Sequence, residues 1–149
     1  MLKLFLVDDS VYIRQRLTRM LAQLKDVEIV GQASEASQAT QAILHLKPDV
    51  VILDIGLTGE GTGINVLQNV KQKNSTPVVI VLTNYPDQAY QRKCLAAGAD
   101  FFFDKSTQFE RVVPVIEQML KKKKHRKNSI GNSRSKRTSA YRTKLHYES

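Results

Sequence analysis

Two short stretches of this chain, Val50-Val51-Ile52-Leu53 and Val78-Val79-Ile80-Val81-Leu82, are apolar at every position. Side chains of a strand point alternately to opposite faces of its sheet, so a strand with no polar position must be covered on both faces. A half-solvated antiparallel sheet cannot do that. A sheet sandwiched between helices can, and helical patterns lie between the apolar runs.

Leu2–Val7 is a first apolar run, and Ser10 then offers an N-cap to a helix carrying Ile13, Leu17, Leu21 and Leu24 on one face. Val27–Val30 predicts a second strand closed by Gly31. Residues 35–46 place Ala36, Ala39, Ile43 and Leu46 on a helical face that Pro48 terminates. After Val50–Leu53 comes a glycine-rich loop (Gly56, Gly59, Gly61, Gly63), then a helix with Ile64, Leu67 and Val70. The run opened by Pro77 precedes a helix over 87–97 closed by Gly98. Phe101–Phe103 predict a last strand and Phe109–Lys122 a last helix, in which Pro114 predicts a kink or a later helix start. Five such β-then-α units predict an α/β fold, a doubly wound parallel sheet with helices on both faces. Right-handed crossovers favour the flavodoxin-like strand order 2-1-3-4-5.

With 149 residues the chain suits one domain with a real core. No apolar run is long enough for a membrane span, and Met1–Val7 is too short for a signal peptide before it meets Asp8. The single cysteine, Cys94, lies among Leu95, Ala96 and Ala97, reads as a buried small hydrophobe, and suits the reducing cytoplasm. The net charge of +9 is not evenly spread. Residues 1–120 hold 12 Lys+Arg against 13 Asp+Glu, whereas residues 121–149 hold 11 against one. The basic character therefore belongs to a C-terminal segment with little apolar content, expected to be disordered or weakly helical on its own.

Ligands of a parallel α/β sheet bind outside the carboxyl ends of its strands. The polar residues there are Asp8-Asp9 after the first strand, Asp54 after the third, Thr83 after the fourth and Asp104-Lys105 after the fifth. In the order 2-1-3-4-5 these strands are neighbours, so three carboxylates, a hydroxyl and an ammonium share one pocket. Clustered carboxylates stay ionised most easily around a hard cation, and an oxygen-only set suits Mg²⁺. A phosphoryl group accounts for the rest. Asp54, central on the middle strand, is the natural nucleophile, and Lys105 and Thr83 can contact the phosphoryl oxygens. His45, His125 and His146 lack metal-ligand spacing, and the glycine loop lacks the Lys-Ser/Thr ending of a nucleotide-binding P-loop.

Over residues 1–120 the chain resembles a receiver domain of bacterial two-component response regulators. The resemblance rests on LFLVDDS, KPDVVILDIGL, VVIVLTN and AGADFFFDKS, each ending at a strand terminus, in that order. VEIVGQASEASQA further resembles receivers that precede helix-turn-helix outputs, and residues 121–149 are too few and too polar to supply such an output. The resemblance implies phosphorylation of Asp54 by a histidine kinase or phosphotransfer protein. It makes Asp9, Asp54 and the Gly56 carbonyl Mg²⁺ ligands, with Asp8 acting largely through water. It makes Thr83 and Phe102 the switch positions, Phe102 lacking the hydroxyl a tyrosine would bring. It implies a switch that catalyses only its own phosphorylation and dephosphorylation. Its output would use the face of the fourth and last helices and the last strand, which can also pair two phosphorylated receivers. Three departures stand out. Thr58 replaces a usual proline, Gly63 lies nine residues after Asp54 instead of eight, and Ser106 follows Lys105 where a proline is common. Two other functions stay open: a nucleic-acid-binding protein that uses segment 121–149, and a degenerate receiver that serves only as an interaction module.

Overall fold

The structure, a computed structural model, describes residues 1–57, 62–72, 77–84 and 86–132, with side chains to Arg126. Its elements run β1 (Leu2–Val7), α1 (Val11–Leu21), β2 (Val27–Ala33), α2 (Ala36–Leu46), β3 (Val50–Leu53), α3 (Gly63–Lys71), β4 (Val78–Thr83), α4 (Gln88–Ala96), β5 (Phe101–Asp104) and α5 (Val112–Asn132), with a 3₁₀ turn over Phe109–Arg111 before α5. All strand pairs are parallel, and the sheet order is β2-β1-β3-β4-β5, as the alternation predicts.

Alternation along each strand divides the core in two. Phe5, Val7, Val51, Leu53, Val79 and Val81 face α2, α3 and α4 through Ala39, Ile43, Leu67, Val70 and Cys94. Leu4, Leu6, Val50, Ile52, Ile80 and Leu82 face α1 and α5 through Leu17, Leu21, Val112 and Ile116. Val50–Leu53 is buried throughout, the double coverage its sequence requires.

Local chemistry sets the ends of the elements. Ser10 caps α1 by accepting from the Ile13 amide. Thr62 and Asn65 form a reciprocal capping box at the start of α3. Lys47 ends α2 with φ at 50°, and Gly98 follows α4 with φ at 107°, a left-handed conformation that favours glycine.

Two boundaries differ from the pattern-based expectation, and a third follows it. β2 does not close at Gly31 but continues to Ala33. The β1–β2 register passes from Leu4↔Ile29 to Phe5↔Gly31, leaving Val30 as an extra residue. Gly31 is needed there because a Cβ would lie 2.7 Å from the Phe5 ring. Pro114 brings the later helix start that its position predicts: Phe109–Arg111 is a 3₁₀ turn, the α-helix proper begins at Val112, and proline in the first turn removes an N–H that has no helical acceptor anyway. Finally, α5 does not stop near Lys122 but continues to Asn132, so the first 12 residues of the basic segment are helical. A helix already nucleated by packing propagates readily through lysine and arginine, which are good helix formers. Thr58, like residues 133–149, lies outside the described residues.

Candidate functional site

The chain leaves β1 for β2 on one side and reaches β3 on the other, which opens a crevice at the carboxyl ends of β1 and β3. Backbone bonds hold its floor: the Asp8 amide donates to the Ala33 carbonyl, the Asp54 amide to the Val7 carbonyl at 2.9 Å, and the Lys105 amide to the Thr83 carbonyl at 2.8 Å. These bonds join the ends of β2, β1 and β3 and those of β4 and β5, the β3–β4 ladder links the two groups, and together they set the side chains that project from the strand ends.

Asp8, Asp54, Thr83 and Lys105 are buried, whereas Asp9 is exposed. One carboxylate oxygen from each of Asp8, Asp9 and Asp54 lies within 4.8 Å of the other two. Oxygens around Mg²⁺ at about 2.1 Å span about 3 Å across an edge and about 4.2 Å across the ion, so this donor set fits an octahedral cation that keeps some of its water. The Lys105 ammonium enters the same cluster, 2.7 Å from Asp8 Oδ2 and 3.3 Å from Asp54 Oδ2. The remaining carboxylate oxygens accept from the backbone. Asp8 Oδ1 takes the Ser10 amide at 2.9 Å, and Asp54 Oδ1 takes the Gly56 amide at 3.0 Å. Gly56 thus lies beside Asp54.

Burial pushes the Asp8 carboxyl above its ordinary value, against the pull of Lys105 and the Ser10 amide. Burial alone would lower Lys105, but its hydrogen bond to Asp8 and the charges of Asp54 and Asp8 outweigh that and hold the ammonium above its ordinary value. Lys105 therefore remains a cation at neutral pH. A buried, permanently protonated lysine beside three carboxylates is suited to oxygens that bring more negative charge.

Phe102 pairs with Val81 on β4 and packs half-buried on the α2–α4 side of the sheet. Phe101 and Phe103 stack at 6.0 Å on the other side. No peptide bond is cis among the described residues, consistent with Ser106 in place of proline.

Two contributors gain their roles only from the packing: Arg14, which no motif names, and Gly63, which the sequence marks only by its shifted position. Arg14, one helical turn beyond the Ser10 cap, donates from Nη1 to the Asp8 carbonyl and from Nε to Gln32 Oε1 at 3.1 Å, tying the acidic loop to the end of β2. Its i+4 spacing from Ser10 is the only sequence signal. Gly63 is the second: a Cβ there would lie 2.3 Å from Ile55 Cα and 2.5 Å from the Asp54 carbonyl oxygen. The glycine nine residues after Asp54 therefore supplies the close approach of α3 to the Asp54 loop.

A doubly wound sheet with an acidic triad and a lysine at its strand ends defines a receiver-type signalling module. Residues 4–117 match the response regulator receiver domain, and the chain belongs to that family. It is 30% identical over 120 residues to the response regulator GacA of Pseudomonas aeruginosa, covering 80% of this chain and 56% of that protein. An uncharacterized response regulatory protein of Vibrio cholerae is 34% identical over 127 residues, covering 83% of this chain and 51% of its own. The chain thus spans about half the length of the curated relatives it matches. Among solved structures, a LuxR-family two-component response regulator from Aurantimonas superposes with a TM-score of 0.72 at 26% identity, covering 79% of this chain and 84% of that one. A LuxR-family DNA-binding response regulator from Staphylococcus aureus gives 0.72 at 27% identity, covering 79% and 98%. Receiver domains are signalling modules of two-component systems that work with histidine kinases or phosphotransfer proteins and bind Mg²⁺ at an acidic pocket. Among the described residues no helix is long and apolar enough to cross a membrane.

Proposed function

We propose that this chain is a phosphorylation-controlled switch in which Asp54 accepts a phosphoryl group from a histidine kinase or phosphotransfer protein. The observation that carries this reading is Lys105 Nζ lying between Asp8 and Asp54 inside the carboxylate cluster. An Asp54 oxygen attacks phosphorus, the P–N bond of the donor phosphohistidine breaks, and its electron pair returns to the imidazole nitrogen, which takes up a proton. Asp9, Asp54 and the Gly56 carbonyl, with Asp8 through water, would hold Mg²⁺, which would neutralise charge on the phosphoryl oxygens. Lys105 meets one phosphoryl oxygen and the Thr83 hydroxyl another.

The signal then passes through population shift. Thr83 and Phe102 sit on adjacent strands beside α4, so a hydroxyl drawn toward the phosphoryl group frees space that the phenyl ring can enter. The output face comprises α4, β5 and α5, where Tyr90 and Leu95 expose apolar surface to a downstream protein or a second phosphorylated copy. Incubation with labelled acetyl phosphate and Mg²⁺ tests the assignment. Wild type takes up label and Asp54→Asn does not; equal labelling of both removes Asp54 from the mechanism.

A further inference from the structure

Helix α5 carries a feature the phosphoryl site does not use. Its last buried residue is Met119, yet the helix continues to Asn132. The added 12 residues extend about 18 Å at 1.5 Å per residue. They hold six Lys/Arg and no Asp/Glu, with Ile130 the single large apolar side chain. Helix positions turn by about 100°, so Lys121, Lys122, Lys123 and Lys124 point around the whole circumference and not along one stripe. Lys123 Nζ reaches the Met1 carbonyl at 2.9 Å and Asp49 Oδ2 at 3.2 Å. Those contacts lie at the start of β1 and just before β3, at the opposite end of the sheet from the Asp54 site. The basic extension therefore cannot serve the phosphoryl pocket of its own chain.

We infer that this extension is a docking element for duplex DNA, lying in the major groove and contacting phosphates on both sides without reading bases. A helix 10–12 Å across with its side chains matches a major groove about 12 Å wide, and, with Lys123 turned to the body, Lys121, Lys124 and Arg126 on the remaining arc can face the phosphate rows. The deep, narrow major groove of RNA does not admit it. A membrane surface calls for an apolar stripe opposite the charged one, which residues 121–132 lack. An acidic peptide engages one side of a helix and leaves the other cations unmatched. The near-neutral body adds no steering of its own, so the extension sets the field that attracts the polyanion.

The experiment uses the full chain and fluorescein-labelled 24-base-pair duplexes of two unrelated sequences, read by anisotropy. Both sequences bind within about threefold of each other, and five phosphate contacts, Lys123 staying on Asp49, make affinity fall about 500-fold between 50 and 200 mM salt. Replacing Lys121, Lys124 and Arg126 together by glutamine, a good helix former, reduces the salt slope by about 2.7 and weakens binding at 50 mM by about 10³-fold. The charge-preserving set Lys121→Arg, Lys124→Arg and Arg126→Lys retains affinity within about threefold. The glutamine variant still accepts label from acetyl phosphate, which separates failure here from failure of the Asp54 assignment. The inference is overturned if wild type does not bind at 50 mM salt or if the glutamine variant binds like wild type. Tighter binding to duplex RNA, phosphatidylserine vesicles or polyglutamate overturns it equally.

Discussion

Gly63→Ala measures how tightly the Asp54 loop is built. The new Cβ would sit 2.3 Å from Ile55 Cα, 2.5 Å from the Asp54 carbonyl oxygen and 3.0 Å from the Ile55 carbonyl carbon. Carbon atoms rest about 3.5 Å or more apart, so helix and loop must separate by about 1 Å. All three obstacles are backbone atoms, and the loop is pinned by the Asp54 amide on the Val7 carbonyl and the Gly63 amide on the Ile55 carbonyl. No side chain can rotate away. Overpacking of this kind costs about 1–3 kcal/mol, and the immobile obstacles place this site at the upper end. At about 4 °C per kcal/mol, thermal midpoint falls by about 10 °C. The displacement also carries Asp54 away from Lys105 and the neighbouring carboxylates, and a 1 Å misplacement of a reacting group costs about 10²-fold. Thermal unfolding by circular dichroism and the rate of labelling from acetyl phosphate read the two effects. A midpoint within about 2 °C of wild type with normal labelling refutes the reasoning, because the loop would then absorb a methyl group without resistance.

Lys71→Met removes the cation that meets Asp100 Oδ2 at 2.7 Å and the Pro77 carbonyl at 2.8 Å, leaving a buried carboxylate bonded to the Val79 amide. Urea unfolding should show a loss of about 3 kcal/mol, and Asp100→Asn in the same background should restore part of it. Cys94 is fully buried, and burial raises its thiol to about 11. At pH 8 the two-unit shift cuts the thiolate fraction about 100-fold, so a thiol reagent should label native protein only as fast as it unfolds; prompt labelling would show that α4 opens locally. Ser10→Ala loses the bond to the Ile13 amide and should lower stability by about 1 kcal/mol in denaturant unfolding. Arg14→Gln should weaken Mg²⁺ binding, followed by calorimetric titration, more than it lowers the thermal midpoint, because Arg14 holds the Asp8 carbonyl and lies outside the core.

Much of this protein was legible before any coordinates. Fully apolar runs demand cover on both faces, and the alternation of such runs with helical patterns leaves few topologies. Strand order and the polar residues at strand ends follow from that, which is why Asp8, Asp9, Asp54, Thr83 and Lys105 could be gathered from their positions alone. Caps such as Ser10 and Gly98 are equally local. Tertiary packing decided the rest. Val30 is an extra residue in β2, and the Gly31 that follows it sits where a Cβ would meet the Phe5 ring. Lys105 lies nearer Asp8 than Asp54, a pairing across 97 residues that no periodicity encodes. Helix α5 extends into a basic run that is a poor folding unit by itself, because its first turns are already anchored between Val112 and Met119. Local patterns report what each segment can become; only the closed sheet determines which segments meet and how far a packed helix carries its neighbours.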